Sequence, residues 1–306
     1  MTMRKHLNRR HFVKSSLVAG GVAAGLTYEH QPLAANLAGQ SKAPGQVSGS
    51  SPPVGKIGEL TVSRLVCGGN LFSGYAHSGE LVYVSGILKN YFSPEKIMDT
   101  LQISEENGIN TAVLRTDDHI IEIVKRYRKE RGGNIQWIAQ TYPKMDNLTE
   151  NIQMAIDNGA VGAFIMGGNS DSFIEAGRID LIAEVISFMQ KNGLAAGVGS
   201  HSLATPALVE KEKIDVDFYF KTLNDVGYAT QEPQDVASLM QTLSKPWVAF
   251  KVLGAGRVKP KEGFDLAFKL GADFINVGMY DFQIREDISL VNEVVAAHKS
   301  RERNWA

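Results

Sequence analysis

The chain has 306 residues, 43% hydrophobic and 21% charged, proportions that suit a folded protein and exclude a disordered or collagen-like one. Its formal net charge of −1 is unevenly spread: residues 1–35 hold five basic side chains and one acid, leaving 27 basic against 32 acidic residues and a net of −5 for the rest. A mildly acidic body without a basic run has no electrostatic footprint for nucleic acid.

Residues 8–14 read Asn8-Arg9-Arg10-His11-Phe12-Val13-Lys14, a weakly apolar run follows from Leu17 to Leu26, and Ala34 and Ala35 offer a small-residue cleavage zone. This order resembles the twin-arginine export signal, with Asn8 where serine or threonine is usual and Val13 where leucine is commoner. Ten residues rich in glycine and alanine are too short to span a bilayer. The resemblance implies a bacterial protein that folds first, meets the Tat translocase, and works in the periplasm or beyond. Residues 36–55 are rich in Ser, Gly, Pro and Gln and read as a flexible linker. No later apolar run reaches spanning length, so no stable membrane span is expected. Residues 56–306 then form one folded body.

From residue 56 onward short β-rich runs alternate with segments of helical period. Strands are expected at Val62–Cys67, Asn110–Arg115, Ile135–Gln140, Val161–Met166, Ala195–Ser200, Asp217–Thr222, Trp247–Val252 and Phe274–Gly278. Helices are expected at 93–107, 119–131, 147–158, 178–192, 204–212, 234–243, 260–270 and 283–300. Asn107-Gly108, Asn158-Gly159, Asn192-Gly193 and Gly271 mark helix ends, and Ser93-Pro94-Glu95 marks a start. Eight β–α units in about 250 residues fit an α/β fold of the (β/α)8 TIM-barrel type. A doubly wound sheet shares the alternation but lacks here any strand–GxGxxG–helix unit. The lone cysteine, Cys67, lies in the apolar first strand and reads as a small buried hydrophobe. It permits no intramolecular disulfide, and no Cys/His spacing suits structural zinc.

In such barrels chemistry sits at the C-terminal ends of the strands, and alternate residues face the interior. Taking the greasier face of each strand as outward leaves Thr111, Val113 and Arg115 inward on the second strand, and Gln136 and Gln140 on the third. It leaves Gly197, Gly199 and His201 inward on the fifth, Tyr219 and Lys221 on the sixth, Ala249 and Lys251 on the seventh, and Asn276 and Gly278 on the eighth. Acids fall only in loops: Asp117, Asp118, Asp171 and Asp281. A rim of Arg115, His201, Lys221, Lys251 and Arg257 points to an anionic or electron-rich carbonyl substrate, unless the loop acids fold over to pair with it. Gly254-Ala255-Gly256-Arg257 serves either as an anion-binding turn or as plain turn geometry, and Gly167-Gly168-Asn169 reads as a plain turn. The long loop from Asn70 to Phe92 carries Tyr75, His77 and Tyr83, which suit a sugar-like ligand. His77, His119, His201, Asp117 and Asp281 have no metal-site spacing. No metal or cofactor is called for, which leaves NAD(P) and a divalent metal open.

Leu60-Thr61-Val62-Ser63-Arg64-Leu65-Val66-Cys67-Gly68-Gly69, Gly108-Ile109-Asn110 and Gly271-Ala272-Asp273 resemble the aldo/keto reductases, in which a short hairpin enters the first strand. The leader, Gly68-Gly69-Asn70 and the long tyrosine-bearing loop, with Phe250-Lys251-Val252-Leu253-Gly254-Ala255-Gly256-Arg257 and Val277-Gly278-Met279-Tyr280-Asp281-Phe282-Gln283-Ile284, resemble a group of exported bacterial barrels related to that family. The family's tetrad does not carry over. It places an Asp and a Tyr after strand two, a Lys ending strand three and usually a His ending strand four. Here those places hold Arg115-Thr116-Asp117 without a tyrosine at the family spacing, then Gln140, then Met166-Gly167-Gly168. A thinner resemblance is to class I aldolases, through Phe220-Lys221-Thr222 and Phe250-Lys251 before the glycine-rich turn. It implies Lys221 as a Schiff-base nucleophile, Lys251 lowering its pKa, and His201 or Asp281 carrying protons.

The leading expectation is thus an exported enzyme for a small polar carbonyl compound, anionic or sugar-derived, using lysine-assisted lyase or isomerase chemistry. Lys221, Lys251 and His201 are its catalytic candidates; Arg115, Gln140, Asn70, Tyr75, His77, Gly254, Gly256, Arg257 and Asn276 are its substrate-binding ones. The alternatives are an NAD(P)-dependent oxidoreductase of aldo/keto reductase type and a non-enzymatic barrel that binds a sugar acid.

Overall fold

The computed structural model describes residues 50–75 and 81–306, all within one compact unit. The twin-arginine motif, the apolar run after it, most of the linker and His77 lie outside the described residues. A hairpin comes first, strands β1 (Val54–Ile57) and β2 (Leu60–Ser63), paired antiparallel around Gly58. The first strand therefore begins inside the expected linker. Arg64 then turns the chain into β3 (Leu65–Gly68), so the expected strand Val62–Cys67 is split in two. The cause is the arginine itself, whose guanidinium is buried and donates to the carbonyls of Asp273 and Ala306.

Eight parallel strands close the barrel in the order β10-β3-β4-β5-β6-β7-β8-β9. After β3 come β4 (Thr111–Arg115), β5 (Gln136–Thr141), β6 (Gly162–Ile165), β7 (Ala195–Ser200), β8 (Phe218–Thr222), β9 (Trp247–Phe250) and β10 (Phe274–Gly278). The fold is a (β/α)8 TIM barrel. Ten α-helices lie among the described residues: α1 (Val84–Tyr91), α2 (Pro94–Glu106), α3 (Asp118–Arg131), α4 (Glu150–Asp157), α5 (Gly167–Glu175), α6 (Ile179–Lys191), α7 (Ala204–Lys211), α8 (Pro233–Gln241), α9 (Pro260–Lys269) and α10 (Ile284–Ala297). Two of them, α1 and α5, stand where a loop and a plain turn are expected from sequence. No described helix is long and apolar enough to cross a membrane.

The helix boundaries follow local chemistry. Ser93 caps α2, accepting from the Lys96 N–H with Pro94 in the first turn, and Asp117 caps α3 through the Ile120 N–H. Two apolar layers result. The outer one joins strands to helices and holds Cys67, whose thiol is pushed up to about 12 by burial. The inner one fills the barrel with Val66, Val113, Ile138, Phe164, Phe218, Phe220, Val248 and Phe274, and Ile57 and Val62 of the hairpin join it.

This inner layer corrects the expected orientation of two strands. On β8 and β9 the residues facing inward are Phe218, Phe220, Val248 and, partly exposed, Phe250, while Tyr219 and Ala249 pack outward. Room for Phe218 comes from β7. A Cβ on Gly197 would lie 2.4 Å from the Phe218 ring, so the glycine strand and the phenylalanine strand fill one space together. Strands of a parallel barrel are apolar on both faces, and greasiness alone therefore does not fix which face looks in.

Candidate functional site

The C-terminal mouth has an aromatic floor. Phe220 lies between Phe164, at a 4.3 Å ring separation, and Phe250, at 4.6 Å. The His201 imidazole packs edge-on to Phe250 at 5.7 Å. Its Nδ1 is 3.2 Å from Asp171 Oδ2, and the same oxygen accepts the His201 backbone N–H at 2.8 Å. The other carboxylate oxygen accepts the Thr205 hydroxyl at 2.7 Å. Burial works to raise the Asp171 pKa, but the hydrogen bonds from His201 and Thr205 outweigh it and hold the carboxyl below its usual range. A carboxylate on Nδ1 favours the proton on that nitrogen, so in the neutral imidazole Nε2 carries the electron pair.

Asp171 reaches this position because α5 starts directly after β6. A Cβ on Gly167 would lie 2.9 Å from the His201 ring, and the Ser170 hydroxyl donates to the Gly199 carbonyl, so only glycine lets the helix seat here. From sequence Asp171 is one of four loop acids that could fold over to pair with the rim, and it does so with His201; Thr205 is not among the sequence candidates. The available signal was Asp171 itself, one helical turn past Gly167 and facing the strand end that bears His201.

Lys221 is not in the mouth. It shares the outward parity of Tyr219, is fully buried, and donates from Nζ to the His201 carbonyl (2.8 Å), Thr222 Oγ1 (3.0 Å) and Gln231 Oε1 (3.2 Å). Its pKa is lowered to about 7 by burial, opposed by the Asp171 charge; repulsion from Lys251 is not the cause. The expected pair of facing lysines is thus absent, and Lys221 lies behind the His201 loop as a support.

Lys251 directly follows β9 in a left-handed conformation (φ 59°), with Nζ 4.8 Å from the centre of the Tyr228 ring. Arg257 lies over the same ring at 5.4 Å. Among the described residues neither has a carboxylate partner, and burial lowers the Lys251 pKa. A left-handed lysine and a left-handed Ala255 in one turn are strained positions of the kind that persist at functional sites. The turn itself is not an anion nest. The N–H groups of Gly254, Gly256, Arg257 and Val258 are already given to the carbonyls of Lys251 and Leu253. Gly254 instead allows close packing, since its Cβ would lie 2.4 Å from Val226. Asn224, missed in sequence, ties the two loops by donating to the carbonyls of Tyr228 and Lys251.

Asn276 faces the interior as expected, and its Oδ1 is buried with no hydrogen-bond partner among the described residues. Gln140 faces in as well and donates to the Tyr142 hydroxyl. Arg115 pairs with Asp117 at 3.0 Å between Tyr75 and Tyr142. Asn70 precedes the short 3-10 turn Leu71–Ser73, and its backbone carbonyl accepts from the Ser73 and Tyr75 N–H groups. Asp281, considered as a proton carrier, is committed to the Tyr91 hydroxyl and to Lys96 at 3.0 Å. Among the described residues no three His, Cys, Asp or Glu side chains converge to hold a metal ion.

Fold and mouth together define a TIM barrel whose C-terminal face carries a histidine–carboxylate pair and two cations, Lys251 and Arg257, over the Tyr228 ring. Known structures with this fold include a Pseudomonas aeruginosa protein provisionally described as an aldo-keto reductase, similar at TM-score 0.60 and 14% identity over 82% of this chain and 99% of that one. A second structure so described, also from Pseudomonas aeruginosa, gives 0.58 at 15% identity over the same shares. The Amycolatopsis orientalis BexX/CysO complex gives 0.53 at 13%, over 84% of this chain and 99% of that one. No family model matches the chain, and no curated protein matches it in sequence.

Proposed function

We propose that the chain is an exported barrel enzyme that binds a small anionic carbonyl compound at the mouth and moves a proton beside the carbonyl. The observation that carries this reading is the His201–Asp171 pair against the aromatic floor. Nε2 of His201 takes a proton from the carbon next to the carbonyl, and the electron pair moves onto the carbonyl oxygen as an enolate. Lys251 stabilises that negative charge, and Asn276 Oδ1 accepts a hydrogen bond from a substrate hydroxyl or a water. Returning the proton to a neighbouring atom gives an isomerase; expelling a group from the next carbon gives a lyase. Lys221 supports the His201 loop and forms no imine.

The likeness to described aldo-keto reductases offers hydride transfer with NAD(P) as a second reading, and the residues present do not fit it. Gln140 stands where that family places lysine.

The test is exchange in deuterated water. The purified chain, incubated with small keto acids and with keto and aldehyde sugars, is expected to place solvent deuterium beside the carbonyl of at least one of them. His201→Gln should slow that exchange by about a hundredfold, and Lys251→Met should raise KM. Exchange at an unchanged rate in His201→Gln, or none with any compound of the panel, overturns the proposal. Export is tested separately: Arg9→Lys with Arg10→Lys is expected to leave precursor in the cytoplasm, and undiminished periplasmic yield would show the leader to be misread.

A further inference from the structure

A cleft of about 620 Å³ opens on the same face, between the loop after β3 and the starts of α2 and α3. Its apolar wall is Phe72 and Phe92, whose rings are 5.1 Å apart. Arg115 enters it from the end of β4 and is held on three sides. Nε donates to Asp117 Oδ2 at 3.0 Å, and Tyr75 and Tyr142 each lie 4.6 Å from the guanidinium carbon. Asp117 is itself fixed, because its other oxygen caps α3. The far edge of the guanidinium, Nη1 and Nη2, makes no hydrogen bond among the described residues. Ser73 Oγ, which also lines the cleft, is buried and without a partner among the described residues.

A planar fork whose side and faces are occupied keeps one recognition mode, end-on capture of two oxygens. We propose that this cleft binds a small monocarboxylate with a flat apolar body. The carboxylate takes the Arg115 fork, and the body lies along Pro94 and the edges of Phe72 and Phe92 that reach the cleft. Lys89 and Arg115 against Asp117 and Asp118 leave the lining without net formal charge, which favours a singly charged ligand over the doubly charged phosphate. The cleft volume is that of an ordinary small-molecule site. The lining holds none of His201, Asp171, Lys251 or Asn276, and the assignment does not depend on the reaction proposed for them.

Calorimetry on the full chain with benzoate, and with benzamide as its neutral twin, tests the assignment. Benzoate is expected to bind saturably and benzamide at least about tenfold more weakly. Arg115→Gln should weaken benzoate by about tenfold or more. Arg115→Lys, which keeps the charge and the fold but loses the fork, should weaken it as well. Lys251→Met should leave benzoate affinity unchanged. Equal binding of benzoate and benzamide, or full affinity in a folded Arg115→Lys, overturns the proposal. A loss in Lys251→Met matching that in Arg115→Gln would place the carboxylate in the His201 mouth and overturn it too.

Discussion

Replacing Asp273 with alanine is expected to cost about 3–5 kcal/mol of stability, the range for stranding buried charges whose partner has been removed. Asp273 has no exposed surface. Its carboxylate accepts from the Trp247 N–H, from Arg301 at 2.7 Å, from Arg303, and from the Ala306 N–H, while its own carbonyl accepts from Arg64. One acid therefore holds together the N-terminal ends of β9 and β10, the β2–β3 junction and the C-terminal tail. Trp305 completes the arrangement, with Arg301 3.4 Å and Arg64 4.3 Å from its ring centre. Without Asp273 both tail arginines keep their charge in a site that already disfavours it, as burial lowers the Arg301 pKa to about 10 against the pull of Asp273. The urea midpoint should fall sharply with m unchanged, and Tm by about 10 °C for a chain of this size. Asp273→Asn, which keeps an acceptor for Trp247, should lose less. A change within 1 kcal/mol in the alanine variant would mean that the tail does not depend on this acid.

The eightfold alternation was legible because turn chemistry punctuates it. Asn-Gly pairs close α2, α4 and α6, with the glycine left-handed each time, and both signals are local. Facing was legible only where polarity differs between faces. Arg115, Gln140, His201 and Asn276 turn inward as read, since their strands carry polar residues on one side. On β8 polarity misleads, because the face carrying Tyr219 and Lys221 packs outward, and the glycine that makes room for Phe218 on the other face belongs to a neighbouring strand. That complementarity is a tertiary fact. The partnership of His201 with Asp171, and the bracketing of Arg115 by Tyr75 and Tyr142, likewise join separate β–α units with no spacing rule between them. The left-handed Lys251 is stranger still, because lysine gives no sign of a positive φ.

The second large effect concerns Lys221 and is read as a slope against pH. Burial lowers its pKa from 10.5 to about 7, so between those values the unfolded chain binds a proton that the folded chain does not. Stability then rises with pH, since the slope follows protons bound unfolded minus protons bound folded. Below pH 7 both states carry the charge and the penalty of burying it is constant; above the unfolded value both are neutral and the penalty is gone. Each pH unit in the window is worth about 1.4 kcal/mol, and the whole window amounts to several of these. Lys221→Met removes the titration. It also strands the His201 carbonyl, Thr222 Oγ1 and Gln231 Oε1, which shifts its stability by an amount that does not depend on pH. The difference between wild type and variant, from urea unfolding at several pH values, should therefore climb in favour of wild type from neutral to alkaline pH, whatever its starting sign. Parallel curves would show that Lys221 keeps an ordinary pKa and that water reaches its ammonium group.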